Sequence, residues 1–217
     1  MFPLQSIVDV DVAGRAGWAP ADLARAYMDG GARLIQVRAK GLASGPLLEL
    51  CDRIVQDARA CGAAVIVNDR VDVARLSGAA GVHLGQDDLP PDAARVQLGP
   101  EALVGYSTHS VAQAEASLMM PVSYIAVGPV FGTRTKDTGY TAVGLDLVRA
   151  VCRLAGATPV VAIGGVTLET APAAIEAGAA SVAVISDLLT GGDPVARVRA
   201  YLQCLTDIAY SRKASAP

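Results

Sequence analysis

The chain has 217 residues, 52% apolar and 18% charged; a chain of that length buries roughly 70% of its unfolded surface, which excludes intrinsic disorder. With 18 Lys and Arg against 21 Asp and Glu, a net charge of −3 and no basic run, it lacks both the groove of a nucleic-acid binder and the patch of a membrane-surface protein. Aromatic residues make up only 4%, so the core is one of Ala, Val, Leu and Ile.

Short β-branched runs bounded by turn residues predict strands at 6–10, 33–38, 64–68, 81–84, 103–107, 124–128, 159–163 and 181–185. Ala-rich amphipathic segments separate them. The clearest predicted helix covers 46–60, where Leu47, Cys51, Ile54, Val55 and Ala58 recur at helical spacing behind a start signal at 44–46. The last helix opens with Asp193 as cap and Pro194 in the first turn, and Val195, Val198, Leu202, Leu205 and Ala209 form its stripe. Residues 211–217 read as a flexible C-terminal tail.

Strands that alternate with helices run parallel, because each crossover returns the chain to the same edge. Eight of them at this length predict one α/β domain over residues 1–217, a closed (β/α)8 TIM barrel. A doubly wound open sheet is the competitor, but no Gly-x-Gly-x-x-Gly turn follows the first strand. Cys51, Cys61, Cys152 and Cys204 show no Cys-x-x-Cys spacing and fall in predicted helices, so they read as thiols of a reducing compartment. The N-terminus has no basic segment followed by an apolar run, and the uncharged stretch 116–133 is interrupted by Pro121, Gly128, Pro129 and Gly132. A cytoplasmic protein with no membrane association is expected.

Chemistry in such barrels sits at the C-terminal ends of the strands. In the second strand a period of two places Gln36 and Arg38 opposite Ile35 and Val37, facing inward if the apolar pair meets the helices. The third strand ends in Asn68-Asp69, the fourth in His83 followed by Asp87-Asp88, and the fifth in Ser107-Thr108-His109; the sixth runs on through Thr133, Thr135 and Lys136. Both histidines and two of the three lysines, Lys40 and Lys136, fall at these ends. A single loop lysine or histidine is usually a bystander; the joint placement reads as a site.

The loops after strands seven and eight, Gly164-Gly165 and Ile185-Ser186, suit a phosphate, since glycines let an anion approach backbone amides and Ser186 adds a hydroxyl. A tight strand-to-helix turn is the structural alternative. Asp69 with Asp88 or Asp87, beside Arg38, Lys40 and Lys136, suggests a divalent cation bridging protein and substrate phosphates. Magnesium, which takes one or two carboxylates plus phosphate and water oxygens, suits this inventory better than zinc. The alternative for Asp69 and Asp88 is to cap the helices that follow them.

Taken in order, the segments 36–40, 67–70, 81–88, 105–109, 128–136, 163–165 and 184–186 resemble the thiamine phosphate synthase family over essentially the whole barrel. The resemblance implies condensation of hydroxymethylpyrimidine diphosphate with thiazole phosphate to give thiamine phosphate and diphosphate, with Mg2+ as cofactor. It implies that Asp69 and Asp88 hold the magnesium, that Arg38, Lys40, Asn68 and Lys136 contact the diphosphate, and that Ser107 lies near the reacting methylene. Arg38, Lys40, Ser107 and Lys136 are thereby the expected catalytic residues. The resemblance further implies that Gln36 and His83 address the pyrimidine, while Thr133, Thr135, Gly165, Ile185 and Ser186 hold the thiazole phosphate. The partners implied are these small molecules; a homo-oligomer is compatible with the chain. The sequence departs from the family pattern at Gly132, at Asp87-Asp88 and in a first strand without the usual Tyr.

A thiazole tautomerase on the same barrel is the nearest rival, and His109 as an acid or base is its support. The diphosphate and metal residues weigh against it. A phosphate-ligand sensor lacks an effector domain here, and a Schiff-base aldolase needs a lysine buried within a strand, whereas Lys40 and Lys136 lie beyond theirs.

Overall fold

Strands β1 (Leu4–Asp9), β2 (Leu34–Arg38), β3 (Ala64–Asn68), β4 (Gly81–Leu84), β5 (Leu103–Thr108), β6 (Tyr124–Val127), β7 (Val160–Ile163) and β8 (Ser181–Val184) hydrogen-bond in chain order, and β8 returns to β1. Every pairing is parallel, so the chain is a closed (β/α)8 barrel. Helices α1 (Val10–Arg15), α2 (Pro20–Asp29), α3 (Ser44–Cys61), α4 (Val71–Ser77), α5 (Pro91–Leu98), α6 (Val111–Leu118), α7 (Gly144–Ala155), α8 (Ala171–Glu176) and α9 (Pro194–Ala214) lie between and after the strands. This computed structural model describes residues 1–132 and 141–214, with side chains in α9 described as far as Ile208. Among the described residues, no helix is long and apolar enough to cross a membrane.

The alternation within each strand divides the core in two. Outward residues such as Val8, Ile35, Val37, Val67, Val104 and Val182 pack beneath the helices. Inward residues, among them Ile7, Leu34, Ile66, Val161 and Ala183, fill the barrel. Each fully buried Val or Ile contributes about 1.5–3 kcal/mol. On β2 this phase sets Gln36 and Arg38 on the face of Leu34, inward, as the alternation predicts.

Strand ends shift where chemistry intervenes. β1 begins at Leu4, two residues before the predicted start, because Leu4 pairs with Val182 to close the barrel. It stops at Asp9, whose Oδ1 accepts the Val12 amide at 3.0 Å and starts α1. Pro159 stays outside β7 because it has no amide proton for the ladder, although its carbonyl accepts from the Ile125 amide at 3.1 Å. Ile185 turns out of β8 into a 3-10 helix, Ser186–Leu189.

The helices carry the thiols as expected: Cys51 and Cys61 on α3, Cys152 on α7, Cys204 on α9. In α9 the Asp193 carboxylate accepts the Ala196 amide at 3.0 Å. Val198 and Leu205 are buried, but Tyr201 joins them while Val195 and Leu202 are only half-buried. The helix continues to Ala214, into the segment read as a tail.

Candidate active site

The C-terminal ends of β1 and β2 bring Asp9 opposite Arg38. Their side chains are 3% and 13% exposed and form an ion pair between Asp9 Oδ2 and Arg38 Nη1. Desolvating such a pair is costly unless its remaining polar atoms are bonded; Asp9 Oδ1 is occupied by the α1 cap. Among the described residues, Arg38 Nε is buried without a hydrogen-bond partner, so the guanidinium keeps unused donor capacity there.

Beyond β2 and β3, Lys40 Nζ stands 3.3 Å from Asp69 Oδ2. Asp69 adopts φ 64, the left-handed region that Asp and Asn tolerate better than other side-chain-bearing residues, and its amide donates to the His83 carbonyl at 2.8 Å. Asp88, in the loop after β4, lies near enough to perturb the Asp69 carboxyl, and its Oδ2 accepts the Gly85 amide at 2.7 Å. Burial first, then Asp88, push the Asp69 carboxyl above its ordinary pKa, and Lys40 opposes this only in part. Neither α4 nor α5 begins with a side-chain cap. Neither aspartate caps the helix that follows it, and Asp87 is exposed. A pocket of about 260 Å³ beside them is lined by Ala39, Lys40, Leu42, Asn68, Asp69 and Arg70.

Inside the barrel a polar column rises to the same rim. Gln5 Nε2 donates to Tyr124 Oη at 3.1 Å; Tyr124 Oη lies 2.9 Å from His83 Nδ1, and His83 Nε2 lies 2.9 Å from Ser107 Oγ. His83 is 5% exposed, so its reach toward a ligand runs through Ser107. Gln86 Nε2 donates to the Ser107 carbonyl at 2.6 Å. His109, by contrast, is turned to the Gly128 carbonyl, with Nδ1 at 2.5 Å.

Across the barrel, Gly164 and Gly165 adopt φ 94 and 66, and a Cβ on Gly165 would stand 1.9 Å from the Gly132 carbonyl oxygen. These glycines let the β7 loop press on the β6 loop, whose Val130 and Phe131 amides donate to the Ile163 and Gly164 carbonyls at 2.8 and 2.9 Å. The pair does make a tight turn in the loop after β7. Asp187 Oδ2 ties this side together, accepting from the Leu168 amide at 3.1 Å, Arg197 at 2.8 Å and Tyr201 at 2.5 Å.

Of the residues singled out in the sequence, Arg38, Lys40, Asn68, Asp69, His83, Asp88 and Ser107 come from β2 to β5 onto one rim, with Gln36 buried on the inner face below. Gly165, Ile185 and Ser186 belong to the β7 and β8 loops. Thr133, Thr135 and Lys136 lie outside the described residues. Sequence reasoning missed Gln5, Asp9, Tyr124 and Gln86. A period of two along β1 aligns Gln5 and Asp9 with Ile7 and was the available signal; nothing local marks Tyr124 as more than a core aromatic.

A parallel barrel with cationic and carboxylate side chains crowded at one rim defines a (β/α)8 enzyme. Residues 12–188 match the family model described as thiamine monophosphate synthase. The chain is 46% identical over 181 residues to a thiamine-phosphate synthase of Anaeromyxobacter dehalogenans, covering 83% of this chain and 80% of the relative. Against the thiamine-phosphate synthase of Koribacter versatilis it is 42% identical over 206 residues, 93% and 95% of the two chains. The thiamine phosphate pyrophosphorylase structure from Pyrococcus furiosus superposes with a TM-score of 0.86 at 28% identity, over 95% of this chain and 96% of that one. The chain belongs to the thiamine monophosphate synthase family; it is an enzyme, a transferase of thiamine biosynthesis.

Proposed function

We propose that this enzyme joins hydroxymethylpyrimidine diphosphate to thiazole phosphate, releasing diphosphate and forming thiamine phosphate. The observation that carries the reading is the convergence of Lys40, Asp69 and Asp88 on one rim, beside Arg38 and Ser107. Breaking the carbon–oxygen bond of the pyrimidine substrate leaves negative charge on the diphosphate and positive charge on the methylene. Arg38, Lys40 and Asn68, with Lys136, hold the diphosphate and stabilise it as charge develops. Ser107 stands by the methylene, and Gln36, together with His83 acting through Ser107, orients the pyrimidine ring. Thr133, Thr135, the Gly165 amide, Ile185 and Ser186 hold the second substrate by its phosphate so that its ring nitrogen, which carries a free lone pair, attacks without a general base. Placing the two substrates in contact supplies much of the rest, with effective molarities reaching about 10⁵ M or more in well-oriented systems.

The Asp69–Asp88 pair fits magnesium. Two hard carboxylates close enough to perturb each other, with Lys40 offsetting this only in part, favour an added divalent cation. When bound, the metal supplies positive charge to phosphate oxygens. A tautomerase needs neither this pair nor Lys40, and His109, its candidate acid or base, is turned to a backbone carbonyl. The enzyme is proposed to work in the cytoplasm.

The test is incubation with both substrates, with and without magnesium, following diphosphate and thiamine phosphate. Product is expected only with both substrates and the metal, and Asp69→Asn is expected to lower turnover at least 100-fold, the scale on which loss of a charge-stabilising group acts. Full activity in Asp69→Asn, or product without magnesium, would refute the metal assignment.

A further inference from the structure

We propose that Gln5 and Tyr124 are positioning residues that hold His83 as its Nε2–H tautomer, so that Ser107 presents its own hydroxyl proton to the pyrimidine substrate. The proposal rests on the reading of this rim as the pyrimidine diphosphate site. The hydrogen bonds fix the order of donors. Tyr124 carries one proton, and its oxygen already accepts from Gln5 Nε2 at 3.1 Å. Full burial drives the phenol pKa far above its ordinary value, so that proton stays on the ring oxygen and is donated to the remaining neighbour, His83 Nδ1, at 2.9 Å. A neutral imidazole has a single N–H, which must then be on Nε2, facing Ser107 Oγ at 2.9 Å. With a lone pair of Ser107 filled from below, its hydroxyl proton is left for an acceptor at the mouth. The reverse order would make Ser107 the donor to histidine, the arrangement of an activated serine nucleophile.

A second feature shows that the barrel is shaped for this contact. Gly105 lies on β5 opposite Tyr124 on β6. A Cβ there would stand 2.2 Å from Tyr124 Oη and 2.6 Å from His83 Nδ1, the two atoms that share the hydrogen bond. The rings are stacked at 5.6 Å between centroids and 23° between planes, and the His83 main chain is pinned through its carbonyl by the Asp69 amide. The column joins the barrel floor to a hydroxyl at the rim through residues that sit deep in the interior: Gln5 and Tyr124 are each 1% exposed.

With only two histidines in the chain, the tautomer is directly readable from long-range 1H–15N correlation spectra of the 15N-labelled wild type, with assignment by His109→Gln. His83 is expected to carry its proton on Nε2 and a bare Nδ1. Tyr124→Phe removes one hydroxyl from a buried ring; it is expected to give a mixture of tautomers, with kcat lowered about tenfold, the value of one neutral hydrogen bond, and the KM for thiazole phosphate unchanged within about twofold. His83 protonated on Nδ1 in the wild type overturns the proposal without recourse to any variant, as does Tyr124→Phe with wild-type kcat and an unchanged spectrum. A wild type that makes no thiamine phosphate overturns the reading of the rim instead, so the two failures are told apart.

Discussion

Asp69 carries opposing demands. It sits in left-handed backbone, against a second carboxylate, and largely out of water. Because the folded state raises its pKa, folded protein holds that proton to higher pH than unfolded chain does; this contribution to stability is present below the ordinary carboxylate pKa and is lost as pH rises through the raised value. At neutral pH without metal the pair is therefore a liability. Asn accepts φ 64 as readily as Asp and removes the like-charge repulsion, while the Lys40 partner it gives up is 59% exposed and contributes little. Asp69→Asn is expected to raise the metal-free Tm by a few degrees near pH 7, to lose that advantage in acid, and to be inactive throughout. Thermal scans across pH, with and without magnesium, check this: a lower Tm at neutral pH would mean that the carboxylate pair is structural. Both aspartates could be read from the sequence, since a strand-terminal Asp among basic residues announces itself, but the choice between Asp87 and Asp88 required the fold of their loop.

At the scale of elements, the Asp187 side chain ties the 3-10 helix Ser186–Leu189 to its neighbours. Asp187 joins the β7–α8 connection through the Leu168 amide to α9 through Arg197 and Tyr201. Burial, then the Asp187 carboxylate, drive the Tyr201 phenol far above its ordinary pKa, so it remains a donor. Asp187→Ala leaves the Tyr201 phenol without its acceptor and the Arg197 guanidinium with only the main-chain carbonyl at 3.2 Å and Glu169 at 3.7 Å, and is expected to cost about 2–4 kcal/mol, read in urea unfolding. Because that clamp stands next to Ser186 and across from Gly165, the same variant is expected to raise the KM for thiazole phosphate about tenfold while kcat falls less. An unchanged KM would detach Asp187 from the phosphate loops. Strands were legible here to within a residue or two because β-branched runs between glycines have few alternatives. Tyr201 was missed in the α9 stripe because its hydroxyl is satisfied by Asp187, which lies outside the helix and which a helical wheel does not contain. Gln5 and Tyr124 were hidden for a related reason: their partners lie at sequence separations of 119 and 41, and only a closed barrel has an interior for them to share.

The molecule as a whole places an apolar layer inside the barrel between a floor and a polar rim, and its ring of strands is closed by the pairing of Leu4 and Gln5 with Val182 and Ala183. The residues proposed to bind the two substrates come from β2 through β5 and from the β7 and β8 loops, so in that proposal the substrates together span both halves of the ring. Binding to the folded state alone stabilises by mass action, about 2.7 kcal/mol at 100 times Kd. In a chain of this size that is roughly 5–11 °C in Tm. Diphosphate with magnesium and thiazole phosphate, added together, are therefore expected to raise a single unfolding transition by that amount, and to increase amide protection in strands on both sides of the barrel, Val37 and Val67 as well as Val161 and Val182, rather than in the loops alone. Calorimetry and hydrogen exchange measure the two effects. A transition that split in two on ligand binding, with only β2 to β4 protected, would mean that the barrel unfolds as separate halves and that the rim does not act as one site.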